Sequence, residues 1–298
     1  MRGKMIKLKT LSRLLMAEQT VFALPWVLTG ALLPFCFPEY GELFKWDQWG
    51  RWFAIIIGFV SARSAGMAFN RLIDRDIDAA NPRTANRPLQ TGEVSQSQVE
   101  ILAWGSVFVF VLTCTCLNTI CLYLSPLVIS LIWSYSYMKR FTSSCHLVLG
   151  AIQFFGPFFA WAAITDSWGL APVILGAAVL ANISGVDIIY SLQDYSFEKN
   201  NRVYSLPVKI GQKNALVVAR LLHMLVISIL LILGNHMHAP IPYYVGVTMI
   251  AAIYLFFHSR IDTDNLEQIN SLFFNLTSLV GLSLLMTIIT TVLWRVIL

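Results

Sequence analysis

The sequence predicts an all-α, polytopic membrane protein of about nine transmembrane helices. Of its 298 residues, 57% are hydrophobic and only 12% are charged, about half the charge of an ordinary soluble domain. Mean hydropathy is +0.67. Apolar runs of roughly 20 residues recur along the chain, the length that carries a helix across a bilayer. The runs are continuous rather than alternating, which argues against a β-barrel. Helices satisfy their own backbone groups where no water can.

The elements follow in order. Residues 1–13, MRGKMIKLKTLSR, are basic and suit the membrane surface or the cytosol. The first span covers about residues 15–36. A charged start before an apolar run also suits a signal peptide, but this run is long, is interrupted by Pro25 and Gly30 and lacks a small-x-small cleavage site. It is read as a retained helix. The remaining spans are predicted at 50–79, 96–116, 118–138, 144–164, 169–194, 213–234, 241–259 and 270–296. Asn118 is the main polar residue separating the third span from the fourth. A single bent span there would invert all later topology.

Charge placement tests that count. With the amino terminus cytosolic, only Lys45, Arg51 and Arg295 of the 21 Lys and Arg fall on the far side, and Arg63 and Arg220 fall within helices. The positive-inside rule is obeyed. The expected location is the plasma (inner) membrane, with one integral-membrane domain over residues 1–298 and the lipid bilayer as solvent. The net charge of +5 is spread over the cytosolic loops, so no nucleic-acid partner is expected, and no protein partner is evident. The five cysteines lack zinc-type spacing and read as free buried thiols.

The chemistry concentrates in Asn70–Pro88, NRLIDRDIDAANPRTANRP. If Trp52–Asp78 is one helix, then at about 100° per residue Arg63, Asn70, Asp74 and Asp78 share a face, with Asn70 and Asp78 roughly 12 Å apart along the axis. A carboxylate ladder at a membrane border is costly unless it binds something. Mg²⁺, and through it a diphosphate, is the ligand this pattern suggests. A second ladder lies in GVDIIYSLQDYSFEKNNRVYSLP, residues 185–207, where Asp187, Tyr190, Ser191, Asp194 and Glu198 fall on one helical face. The plain alternative is a pair of solvated helix ends.

Cations stand beside both ladders. Arg83, Arg87, Lys139, Arg140, Lys199 and Lys209 all lie on the predicted cytosolic side, where Arg forks and Lys point charges can hold phosphate oxygens. Topology or lipid headgroups account for single members equally well. Arg63 sits within the membrane, where an unpaired cation is expensive. It can hold the carboxylate of an aromatic acid or pair internally with an acid such as Asp187. His146, His223 and His258 read as packing or interface residues.

The run N-R-x-x-D-x-x-x-D-x-x-N-x-R-T-x-x-R-P, Asn70 to Pro88, resembles the first signature of the UbiA superfamily of intramembrane prenyltransferases. Tyr190 to Glu198, Y-S-x-x-D-x-x-x-E, resembles its second. YSYMKRFTSSCHLVLG, residues 135–150, resembles its Y-x-x-x-K-R-x-T segment. The resemblance implies nine helices around a central cavity and Mg²⁺-dependent transfer of a polyprenyl group from its diphosphate to an aromatic ring. It places metal ligands at Asn70, Asp74, Asp78, Asp194 and Glu198, and diphosphate contacts at Arg83, Arg87, Lys139 and Arg140. Asp74, Asp194 and Arg63 are the expected catalytic residues, with Tyr190 and Asp187 beside the substrate. Glu198 departs from the family's usual Asp. The local pattern resembles the branches acting on 4-hydroxybenzoate and on futalosine-pathway menaquinone precursors alike, so the quinone precursor stays open. The rival readings are a transporter or channel with a polar cytosolic cavity and a CDP-alcohol phosphotransferase, whose D-x-x-D-G-x-x-A-R run is absent.

Overall fold

The computed structural model describes residues 6–43, 49–261 and 269–297, and within them every regular element is helical. The predicted placements of Arg2, Lys4 and Lys45 lie outside the described residues. Nine of the described helices are long and apolar enough to cross a membrane.

The basic start forms a short helix, α1 (Leu8–Leu15), which ends at Met16 in the left-handed region (φ 48°). This turn redirects the chain into α2 (Ala17–Leu32), extended by a 3₁₀ turn over Leu33–Cys36. Arg13 ties α1 down, pairing with Glu93 at 3.0 Å and donating to the Asn86 carbonyl at 3.2 Å. Next comes α3 (Trp49–Ile73), followed after a kink by α4 (Arg75–Ala80). α5 (Gln96–Leu117) opens on a capping box between Ser95 and Gln98.

Asn118 does end one span and begin another. Its side chain accepts from Cys121 N at 2.9 Å to cap α6 (Thr119–Met138), and donates to the Ala162 carbonyl at 2.7 Å and to Asp166 at 3.0 Å. One amide thus caps a helix and fastens it to α7 (Cys145–Thr165). α8 (Leu170–Ser191) runs through a 3₁₀ turn, Leu192–Asp194, into α9 (Tyr195–Asn200). The short α10 (Leu206–Ile210) leads to α11 (Gln212–His236), α12 (Ile241–Arg260) and α13 (Ile269–Ile297).

The helices ring a cavity. One buried cluster joins Trp26 on α2 and Trp161 on α7 with α8 and α11–α13, and another joins α2, α3, α5, α6 and α7. Lipid is as apolar as leucine, so helix association depends on close fit and small residues. Gly30 on α2 shows how close: a Cβ there would lie 2.3 Å from the Pro157 carbonyl oxygen on α7. Backbone, not a flexible side chain, blocks it. Gly30→Ala is expected to cost about 1–3 kcal/mol, read as a lowered melting temperature in detergent, with Gly50→Ala, whose Cβ meets nothing within 4 Å among the described residues, as the silent control. All five cysteines are free thiols, as the spacing predicts, although Cys116 is exposed.

Two helical expectations need correction. The ladder from Trp52 to Asp78 is not one straight helix. Asp74 leaves helical geometry (φ −89°, ψ 7°). The hydrogen bonds Asp74 N→Asn70 O (3.0 Å) and Asp78 N→Asp74 O (2.8 Å) persist across the kink, so the stepwise spacing of Asn70, Asp74 and Asp78 survives. The second ladder is likewise broken by the tighter 3₁₀ turn that carries Asp194, which turns the end of α8 toward the loop after α4.

Candidate active site

Both acidic motifs reach one chamber. A polar space of about 150 Å³ is lined by Asn70 and Asp78 from the first ladder and by Asp187, Tyr190, Ser191, Asp194 and Glu198 from the second. It adjoins an apolar cavity of about 250 Å³ bounded by α2, α3, α5, α6, α7, α8 and α13. Asn70, Arg87, Tyr135, Asp187 and Tyr190 line both spaces, so a molecule with a polar head and an apolar tail can occupy the two together.

The kink at Asp74 faces the loop after α6. Asp74 is fully buried. One carboxylate oxygen lies 2.6 Å from Lys139 Nζ and accepts from the Asn70 amide at 2.6 Å. The other has no hydrogen-bond partner among the described residues, with Arg140 3.8 Å away. Burial raises the Asp74 carboxyl above its usual range, against the pull of Lys139 and Arg140. Asp78, one turn on, accepts from Arg87 at 2.5 Å and lies 3.7 Å from the buried Arg71. Arg71 also donates to the Leu14 carbonyl at 3.3 Å and to Asn70 Oδ1 at 3.2 Å, which ties α1 to the first motif.

The two motifs meet through the loop after α4. Arg83 donates from Nε and Nη2 to the two oxygens of Asp194, at 2.8 and 2.5 Å, and from Nη1 to the Tyr190 hydroxyl at 3.0 Å. Asn81 adds a bond to Asp194 at 2.8 Å. Burial lowers the affinity of the Arg83 guanidinium for its proton, but its bonds to Asp194 and Tyr190 outweigh burial and hold it above the usual range. Glu198 accepts from Ser205 at 2.5 Å across the turn after α9. The buried Asp74 and Asp78 and the half-buried Asp194 are therefore each held by a Lys or Arg, as low-dielectric surroundings require.

Other predicted residues fall elsewhere. Lys199 is exposed, with its ammonium 5.6 Å from the Tyr195 ring centre. Lys209 is exposed on α10, and neither lysine lines the chamber. Arg140 turns away from the chamber toward Asp74 and the Ile73 carbonyl. Arg63 lines the apolar cavity, and its Nε is buried with no hydrogen-bond partner among the described residues. The internal pair with Asp187 does not form. Asp187 lies 2.6 Å from His146 instead. His146, read from the sequence as packing, lines the chamber. Its place four residues after the K-R-x-T run, at the start of a helix, is the available signal. Asn81 had no assigned role, though it lies inside the first motif.

The fold and chamber define a polytopic helical membrane protein whose acid-and-arginine chamber opens into a buried apolar cavity. The UbiA prenyltransferase family profile matches residues 28–279. The 4-hydroxybenzoate octaprenyltransferase of Pectobacterium carotovorum subsp. carotovorum (strain PC1) is 28% identical over 255 residues, covering 80% of this chain and 88% of that one. The 4-hydroxybenzoate octaprenyltransferase of Marinobacter nauticus (strain ATCC 700491 / DSM 11845 / VT8) is 30% identical over 224 residues, 74% and 76% of the two chains. Among solved structures, the apo UbiA homologue from Aeropyrum pernix K1 superposes with a TM-score of 0.79 at 28% identity, covering 92% of this chain and 98% of that one. The fold is also that of the Archaeoglobus fulgidus UbiA homologue bound to GPP and Mg²⁺, with a TM-score of 0.71 at 18% identity and coverage of 95% and 99%. The chain belongs to the UbiA prenyltransferase family.

Proposed function

We propose that this protein transfers a polyprenyl group from a polyprenyl diphosphate to an aromatic acid such as 4-hydroxybenzoate, in ubiquinone or menaquinone biosynthesis, at the inner membrane with its amino terminus cytosolic. The observation that carries this reading is the Arg83 fork on Asp194, which joins the two acidic motifs in the polar chamber that adjoins the apolar cavity. A transporter reading has no comparable support.

The residues present fit a divalent cation. Asn70, Asp74, Asp78, Asp194 and Glu198 offer oxygen donors only, the set that hard Mg²⁺ selects, and one oxygen of the buried Asp74 carboxylate lacks a hydrogen-bond partner. These five residues are the proposed ligands. When bound, the ion supplies Lewis-acid neutralisation of the departing diphosphate. Among the described residues, no three His, Cys, Asp or Glu side chains converge as a ready-made centre. The carboxylates carry Arg83, Arg87 and Lys139 instead. In this reading Arg83, Arg87 and Lys139 would hold the diphosphate and the carboxylates would hold the ion, so each of these buried charges would keep a partner of opposite sign.

The remaining groups follow from position. Arg83, Arg87 and Lys139 hold phosphate oxygens as negative charge grows on the leaving group, with Arg140 supporting them behind Asp74. Lys199 and Lys209, being exposed, serve at most the approach of the anionic head. The tail lies in the apolar cavity, among side chains such as Ile55, Phe59, Phe110 and Phe159. Excluding water there protects the allylic cation from hydrolysis, and the rings of Tyr135 and Tyr190 at the junction can face its charge. Arg63 takes the acceptor's carboxylate. Purified protein given geranyl or longer diphosphates, 4-hydroxybenzoate and Mg²⁺ is expected to form the ring-prenylated acid by mass spectrometry; diphosphate turnover without any aromatic product would overturn the assignment.

Arg63→Met tests the acceptor contact separately. A charge-assisted bond is worth about 1.5–3 kcal/mol, so the KM for the acid should rise roughly 10- to 100-fold while the KM for the diphosphate stays put. An unchanged acceptor KM removes Arg63 from this role.

A further inference from the structure

Resting on the prenyl-transfer reading, the geometry points to Asp187 as the base that takes the ring proton, with His146 as its positioning residue. Among the described residues, Asp187 is the single carboxylate lining the apolar cavity, where it shares the wall with Arg63, Tyr135 and Tyr190. Asp74, Asp78 and Asp194 are engaged by cations, and Glu198 lines only the polar chamber. Among the described residues, no Lys or Arg pairs with Asp187. Its hydrogen-bond partner among the described residues is His146 Nδ1, at 2.6 Å.

The imidazole is specified from both sides. Leu206 donates its backbone N–H to His146 Nε2 at 3.2 Å. A ring that accepts at Nε2 carries its proton on Nδ1, so His146 donates to one oxygen of Asp187 and does not compete for a second proton without losing Leu206. The His146 carbonyl also accepts from Ser184 at 3.1 Å, one turn before Asp187 on α8. Two helices therefore hold the pair, a better support for a reacting group than a loop. The second oxygen of Asp187 has no partner among the described residues, and the side chain is 19% exposed.

The step balances without another reagent. The allylic C1–O bond breaks and its electron pair leaves with the diphosphate. A ring π pair forms the new C–C bond to C1. The C–H pair at that ring carbon then returns to the ring, and the proton passes to Asp187. The cationic ring is a strong acid, so a carboxylate suffices as its proton acceptor. The proton leaves through the polar chamber, which Asp187 also lines.

The test is Asp187→Asn and His146→Gln in purified enzyme, with acceptor deuterated at the reacting ring carbon. Loss of a base slows rearomatisation, so Asp187→Asn should lower kcat by about 100-fold or more and give a normal primary isotope effect that the wild type lacks. His146→Gln should show a smaller loss with the same isotope effect. Both should keep the wild-type KM for the diphosphate and still release diphosphate. A slow variant without an isotope effect, or one whose defect is entirely in acceptor KM, overturns the base. If Asp187→Asn does not fold, the isotope effect in His146→Gln decides alone. Wild-type protein that forms no prenylated ring contradicts the prenyl-transfer reading itself, whereas wild-type transfer with unaltered variants overturns only this role.

Discussion

Alanine at Asp74 or at Asp194 is expected to abolish divalent-ion-dependent prenyl transfer while the protein still inserts and folds. Each carboxylate is proposed to hold an ion whose charge offsets the departing diphosphate, a contribution of several kcal/mol, or about 10³-fold or more at roughly 1.4 kcal/mol per decade. The two positions fail for different local reasons. Asp74 lies at the kink between α3 and α4, with Lys139 2.6 Å away. Its removal frees that lysine and deletes the oxygen that lacks a partner. Asp194 is gripped by Arg83 and Asn81, so its removal also loosens the join between the motifs. Folding should survive because the freed cations are partly exposed, at 25% for the Lys139 side chain and 32% for Arg83. Activity assays beside size-exclusion profiles in detergent separate the effects. Substantial transfer by both alanine variants would remove the two-motif account.

The second large effect falls on Arg83. Arg83→Ala is expected to lower kcat/KM by about 10²–10³-fold, the loss typical when one preorganised donor to a developing charge is deleted. Arg83→Lys should recover little. The native side chain makes a planar fork on Asp194 and a third bond to Tyr190, and an ammonium has no such fork. Product inhibition by inorganic diphosphate gives an independent measure. If Arg83 moves from Asp194 to phosphate oxygens during turnover, inhibition should weaken in step with the lost activity. Normal diphosphate inhibition in an inactive Arg83→Ala enzyme would show that the arginine only braces Asp194.

Much of the fold was legible because lipid imposes a simple rule on sequence. Apolar runs of membrane length mark the spans, and Asn118, strongly polar between two such runs, marks a true break that the Cys121 and Ala162 bonds fix in place. Periodicity put Asn70, Asp74 and Asp78 in one series, and that order survives because the i to i+4 bonds continue through the kink. The kink itself has no local signature: neither Pro nor Gly stands at Asp74, and the departure comes with tertiary contacts to Lys139 and Arg140. The 3₁₀ turn at Leu192–Asp194 was hidden for the same reason.

Side-chain partners were less legible. Arg63 and Asp187 share a cavity wall, and a sequence reader pairs them by charge. The structure pairs Asp187 with His146, 41 positions away. Asn81 meets Asp194 across 113 positions. Such contacts depend on how α7, α8 and the loop after α4 pack, which a one-dimensional period does not encode. Lys199 and Lys209 show the converse: position beside a motif in sequence does not bring a long side chain into its chamber.

The central claim is that the two acidic motifs act on one diphosphate through a divalent ion. Titration of purified protein with an unreactive allylic thiolodiphosphate, with Mg²⁺ and then with chelator, tests it most directly. The account predicts binding that requires Mg²⁺ and is lost in either Asp74→Ala or Asp194→Ala. Equal affinity in chelator, or Mg²⁺-dependent binding retained by both variants, would contradict it.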